Sequence, residues 1–178
     1  MKRLAVLLLA ALPLAAGAQN QPKDPTTLRG VLLDELRSTH NKAEWFVPVN
    51  TAVSGLTAEQ AAWSPGQGNH SVGQLAYHLW FWDEQSLLKF KGEKAMPFSG
   101  NNDDTFNNFN PAQWDELVKK LDATMTEWEK AVESADDAKL AANAATITRI
   151  STHNAYHIGE ILYVRKLHGM WDPNKGVK

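Results

Sequence analysis

The chain has 178 residues, with 18 Lys and Arg against 20 Asp and Glu, six His and no Cys. Without cysteine there is no disulfide scaffold, no thiolate zinc site, no c-type haem attachment and no thiol nucleophile. A mildly acidic chain with no basic run also lacks the electrostatic footprint that nucleic acid requires, so the six histidines are its plentiful soft ligands.

Residues 1–18, MKRLAVLLLAALPLAAGA, read as a secretory signal: Lys2 and Arg3 are the basic region, Leu4 to Leu14 the apolar region, and Ala16-Gly17-Ala18 the cleavage site. A membrane anchor is the competing reading, but a span needs about 20 apolar residues and this run is shorter. After Gln19 no apolar stretch is long enough to span a bilayer. Cleavage leaves 160 residues carrying 16 basic and 20 acidic side chains. That length suits one domain with a sizeable core, and the expected location is periplasmic or secreted. Residues 19–24 are polar and read as a flexible arm, with the folded domain at 25–178.

Asp24-Pro25 has the form of an N-cap followed by proline at the first helical position. From Thr26 to about Val53 apolar residues recur at helical spacing (Val31, Leu32, Leu36, Ala43, Phe46, Val47, Val53), with a kink or break expected near Trp45 to Val47 because of Pro48. Thr57-Ala58-Glu59-Gln60 is a capping box for one short turn, closed by Ser64-Pro65-Gly66. Ser71-Val72-Gly73-Gln74 is a second capping box, opening a strong helix to about Lys91. Residues 92–110 are rich in Gly, Pro, Asn and Asp and read as a long loop, a type that is often functional or disordered. Asn101-Asn102-Asp103-Asp104 within it lacks the glycine and terminal glutamate of a calcium loop. Asn110-Pro111 caps a third helix on which Trp114, Leu117, Leu121, Met125, Trp128 and Val132 recur. Residues 134–143 read as a connection. The last helix runs from about Ala145 to His168 and stops at Gly169, with Pro173 beyond. Four long helices, no strand run and no repeat predict an all-α four-helix bundle with long connections.

The chemistry concentrates in Thr152-His153-Asn154-Ala155-Tyr156-His157-Ile158-Gly159-Glu160. His153 and His157 are four apart, so on a helix both imidazoles leave the same face one turn apart, a spacing at which two histidines bind one metal ion. Ile150, Ile161 and Val164 continue the stripe and point the pair inward, where two buried polar rings need partners. These are either a metal or buried hydrogen bonds. Position 154 is Asn rather than Glu, so this is not a zincin protease helix. A tight site needs a third ligand from another helix, and His78, between Leu75 and Trp82, is the best candidate. The competing reading of His78 is a hydrogen-bonded core histidine. Glu160 reads as an acceptor fixing the His157 tautomer, a fourth ligand, a proton acceptor, or a solvated surface carboxylate. His40 lies on the apolar stripe of the first helix, a position from which it could face the site, but its polar neighbours favour a hydrogen-bonded or partly exposed histidine. Local structure explains His70 and, through the helix dipole, His168. Trp80, Trp82, Trp114 and Trp128 read as core, and Trp45 and Trp63 as candidates for a pocket mouth.

Ser71-Val72-Gly73-Gln74-Leu75-Ala76-Tyr77-His78-Leu79, followed by His153-Asn154-Ala155-Tyr156-His157-Ile158-Gly159-Glu160-Ile161 and Arg165, resembles the DinB/YfiT-like superfamily over most of the chain after residue 18. The resemblance implies a four-helix bundle and a metal-dependent enzyme. It also implies a divalent metal, zinc or nickel, on His78, His153 and His157, and it makes a homodimer plausible. The expected function is metal-dependent hydrolysis or transfer on an unknown small-molecule substrate, with Glu160 and Tyr156 as candidate catalytic groups for handling protons. The alternative is a non-catalytic metal- or ligand-binding helical module.

Overall fold

The computed structural model describes residues 25–176. The signal at 1–18 and the arm at 19–24 lie outside the described residues. Within them the chain is all-helical, and no helix is long and apolar enough to cross a membrane. The elements are α1 (Leu28–His40), α2 (Val49–Val53), α3 (Ala58–Ala62), α4 (Val72–Lys91), α5 (Asp104–Asn107), α6 (Trp114–Ser134) and α7 (Asp137–Leu167), with 3-10 turns at Pro111–Gln113 and Pro173–Lys175.

Both capping boxes form as the sequence predicts: Thr57 and Ser71 each accept from the backbone three residues on, and Gln60 and Gln74 reach back. Helix α4 ends at Lys91 because Gly92 takes a left-handed conformation (φ 78°) that closes its last carbonyls. Three expectations are corrected. Helix α1 starts at Leu28, capped by Thr27 through a hydrogen bond from Gly30 N, rather than at Asp24-Pro25. It stops at His40, well before the expected kink. The backbone N–H groups of Asn41 and Lys42 both fold back onto Arg37 O, and Pro48 then serves as the N-cap of α2. Finally, 137–144 is helix and not connection. The Asp136 side chain caps Lys139 N, and the alanine-rich segment after it carries high helix propensity without an apolar period.

α4 packs on α6 and α7, and α1 packs on the same two helices. The apolar interior is divided. One cluster joins Leu32, Leu36, Leu87, Trp128, Leu140 and Ile147; the other joins Val53, Leu75, Leu79, Leu121, Ile158 and Ile161. Along α4 and α7 the gap between them holds polar side chains: His78, Asp83, Asn154 and His157 are each 7% exposed or less. On the α1–α6 side His40 is buried between Glu129 (2.6 Å from Nδ1) and Asp122 (2.9 Å from Nε2). A polar layer therefore crosses the interior, and every polar group in it requires a partner.

Candidate metal centre

His78 comes from the middle of α4, and His153 and His157 from successive turns of α7. The long loop supplies the rest of the enclosure through α5. The Phe106 ring stacks on His78 (centroids 3.9 Å apart, 7° between planes) and, through its other face, on His70 (3.9 Å, 5°). Arg165 is 3% exposed and holds this end of α7 to α2, donating from Nη1 to Ala52 O at 2.5 Å and from Nη2 to Met170 O at 2.9 Å.

The three imidazoles converge. His78 Nε2 and His153 Nε2 are 3.0 Å apart, and one ligand nitrogen from each of the three rings falls within 4.8 Å of the others. The tautomers of His78 and His157 follow from their neighbours. The Thr105 hydroxyl has one proton and gives it to Asn102 O (2.6 Å), so towards His78 Nδ1 (2.6 Å) it can only accept. His78 therefore carries its proton on Nδ1 and turns the Nε2 lone pair to the centre. Likewise His157 Nδ1 donates to Glu160 Oε2 at 2.6 Å, which frees Nε2. Burial, with smaller repulsion from His157, His153 and His70, pushes the His78 imidazole down to about 3. Burial followed by His157 pushes His153 down to about 4. His157 is also lowered by burial, against the opposing pull of Glu160. The rings are thus neutral, as metal ligands must be.

This donor set fits a divalent cation. Imidazole nitrogens bind zinc at about 2.0–2.1 Å, and two sharing a tetrahedral ion stand about 3.3 Å apart; the 3.0 Å pair is already close to that. Without a cation, a proton on His153 Nε2 lets that nitrogen donate to the His78 Nε2 lone pair across the 3.0 Å contact; a cation takes the place of that proton. A partner holding the outer nitrogen is the arrangement that orients histidine ligands in metal sites. Thr105 does this for His78 and Glu160 does it for His157.

A model described as the DinB superfamily matches residues 49–161. The chain belongs to the DinB superfamily. The matched span includes all three histidines and Glu160 and leaves α1 outside it. Neither the curated proteins nor the solved structures give a match.

The DinB histidines open onto a cavity of about 460 Å³, within the size range of small-molecule sites. His78 and His153 form one end, and Trp82, Asp83, Ser86, Asn102, Arg149 and Ile150 line the remainder. Of the sequence candidates, Tyr156 is 64% exposed, its ring edge-on to His157 at 4.9 Å. His40 belongs to the separate Glu129–Asp122 cluster. His168 stacks on Trp63 (4.1 Å), and Trp45 is 98% exposed. Trp114 and Trp128 are core, each indole donating to a backbone carbonyl, Leu56 O and Asp83 O respectively. Trp82 instead forms a wall of the cavity.

Sequence reasoning missed Thr105, Phe106 and the Asp83–Asn154 pair. Asn154 Nδ2 donates to Asp83 Oδ2 at 3.0 Å, while Asp83 Oδ1 and Asn154 Oδ1 have no partner. Burial pushes the Asp83 carboxyl up to about 8, against the hydrogen bond from Asn154 that lowers it. The available signal was an aspartate inside an apolar helix face, five residues after His78.

Proposed function

We propose that this chain is an exported four-helix bundle of the DinB/YfiT type. In this reading it holds one zinc or nickel ion on His78, His153 and His157 and hydrolyses, or transfers a group to or from, a small molecule in the adjoining cavity. The observation that carries the metal is the convergence of three neutral imidazoles, with buried His78 and His157 held at their outer nitrogens by Thr105 and Glu160 and half-buried His153 completing the set. The mutual packing of α1, α4, α6 and α7 supports the bundle. The basic start, apolar run and Ala16-Gly17-Ala18 site support export.

A divalent ion held by three imidazoles supplies Lewis-acid polarisation of a substrate oxygen. The chain's own residues do the rest. Thr105 and Phe106 fix the His78 ring in position and plane. Glu160 keeps the His157 proton on Nδ1 and is the proton acceptor nearest that ring, and Tyr156 is assigned proton delivery on the exposed side of His157. Trp82 and Ile150 exclude water from one wall of the cavity.

The test is elemental analysis of the purified protein without a tag, beside His78→Ala and His157→Ala. About one zinc or nickel per chain, lost in both variants, supports the site; no stoichiometric metal, with chelators leaving thermal stability unchanged, removes it. Turnover of simple esters, amides and thiol adducts by the loaded protein then separates an enzyme from a metal-binding module.

A further inference from the structure

The cavity beside the histidines has a charged residue at its side that the metal site does not use. Arg149 lies on α7 one turn before His153, so both side chains leave the same face of the helix, and both line the cavity. Its guanidinium makes no ion pair or hydrogen bond among the described residues, whereas Arg29, Arg37 and Arg165 are each engaged by carbonyls or carboxylates. The one carboxyl of the lining, Asp83, is 1% exposed and faces Asn154, so it does not neutralise Arg149. Trp82 and Ile150 give the same cavity its apolar walls. A planar guanidinium with free donors matches carboxylate and phosphoryl oxygens two at a time.

We propose that Arg149 is the anion-binding end of this cavity, and that the substrate class is compact molecules with an apolar body, a carboxylate or phosphoryl group on Arg149, and the reacting oxygen at the histidine end. This rests on the reading of the histidines as the reacting centre, but the anion site itself does not need the metal. An apolar body on Trp82 sets the distance between the two ends, and the guanidinium sets the orientation. A neutral compound of the same shape gains only the wall contact.

The experiment is calorimetric titration of metal-loaded and metal-stripped protein with 3-phenylpropanoate, 2-phenylethylphosphonate and the neutral 3-phenylpropanamide. The wild type is compared with Arg149→Gln and Arg149→Lys. Arg149 is exposed, so neither variant threatens folding. The expected result is at least tenfold weaker binding of the anions by Arg149→Gln with or without metal, partial recovery in Arg149→Lys, and no change for the amide. Arg149-dependent binding of only one of the two anions supports the proposal and fixes the anion type. Anion affinity that is equal in wild type and Arg149→Gln overturns it, as does failure of both anions to bind. If equal affinity appears only in metal-loaded protein, the anion sits on the metal and the metal reading survives. If the protein never takes up metal yet binds anions through Arg149, the metal reading fails and the anion site stands.

Discussion

Thr105 accepts a hydrogen bond from His78 Nδ1 at 2.6 Å while giving its own proton to Asn102 O at the same distance. One hydroxyl on a four-residue helix in a long loop thereby decides which nitrogen of a buried histidine faces the centre. Thr105→Val keeps the shape and removes the acceptor, so His78 loses its fixed tautomer. Loss of such an outer partner costs about 10–100-fold in metal affinity, with about 1–2 kcal/mol of stability for the unpaired Nδ1–H. Competition against a zinc chelator measures the first and urea unfolding the second. Unchanged zinc affinity would show that the loop does not orient the ligand.

The metal-free protein should lose stability through these rings as it is acidified. His78 at about 3 and His153 at about 4 lie below the ordinary histidine value of 6.5, mainly through burial. Between those values the unfolded chain binds more protons, so their contribution is fully present above pH 6.5 and declines as pH falls towards 4 and 3. The urea midpoint of wild type minus that of the His78→Gln/His153→Gln double variant should therefore shrink between pH 7 and pH 5. A difference that stays constant with pH would refute the buried, neutral assignment.

The sequence carries the histidine cluster better than it carries the helix ends. His153 and His157 are legible because spacing on one helix fixes relative direction, and His78 because it interrupts an apolar face. Thr105 and Phe106 are illegible because their role depends on where a 19-residue loop folds back, which no local period encodes. The start of α7 at Asp137 is missed for a different reason. The segment 137–144 is almost all alanine and polar residues, so propensity and the Asp136 cap make the helix while the apolar period is silent. Helix α1 runs short because its apolar stripe continues past His40 into irregular chain, leaving Phe46 36% exposed.

Gly73 lies in the first turn of α4 directly beneath the Phe109 ring. A Cβ there would come 2.1 Å from Phe109 Cζ, far inside van der Waals contact. Gly73→Ala should destabilise by about 1–3 kcal/mol through overpacking, although alanine is the better helix former by about 1 kcal/mol. The sign should reverse in a Phe109→Ala background, where only the helix preference remains. Thermal unfolding of the four proteins closes the cycle. Stabilisation by Gly73→Ala in the wild-type background would mean that Phe109 does not occupy this position in solution.

Asp83 has the opposite linkage to the histidines. Burial raises its carboxyl from 3.8 to about 8, so the folded protein binds the extra proton. The associated stability is fully present below pH 3.8 and lost as pH rises through about 8. Wild type and an Asp83 variant carry the same imidazoles, so histidine titration cancels when the two are compared. Asp83→Asn is the same shape, keeps an acceptor for Asn154 and cannot ionise. The variant should therefore gain stability over wild type as pH rises from about 4 to about 8, seen as a widening gap in urea midpoints that levels off above pH 8. His78 is five residues away on the same helix, and metal content should be unchanged. A parallel pair of pH profiles would show that Asp83 ionises in the folded protein as freely as it does in the unfolded chain, and that its unpartnered Oδ1 is stabilised by something other than a proton.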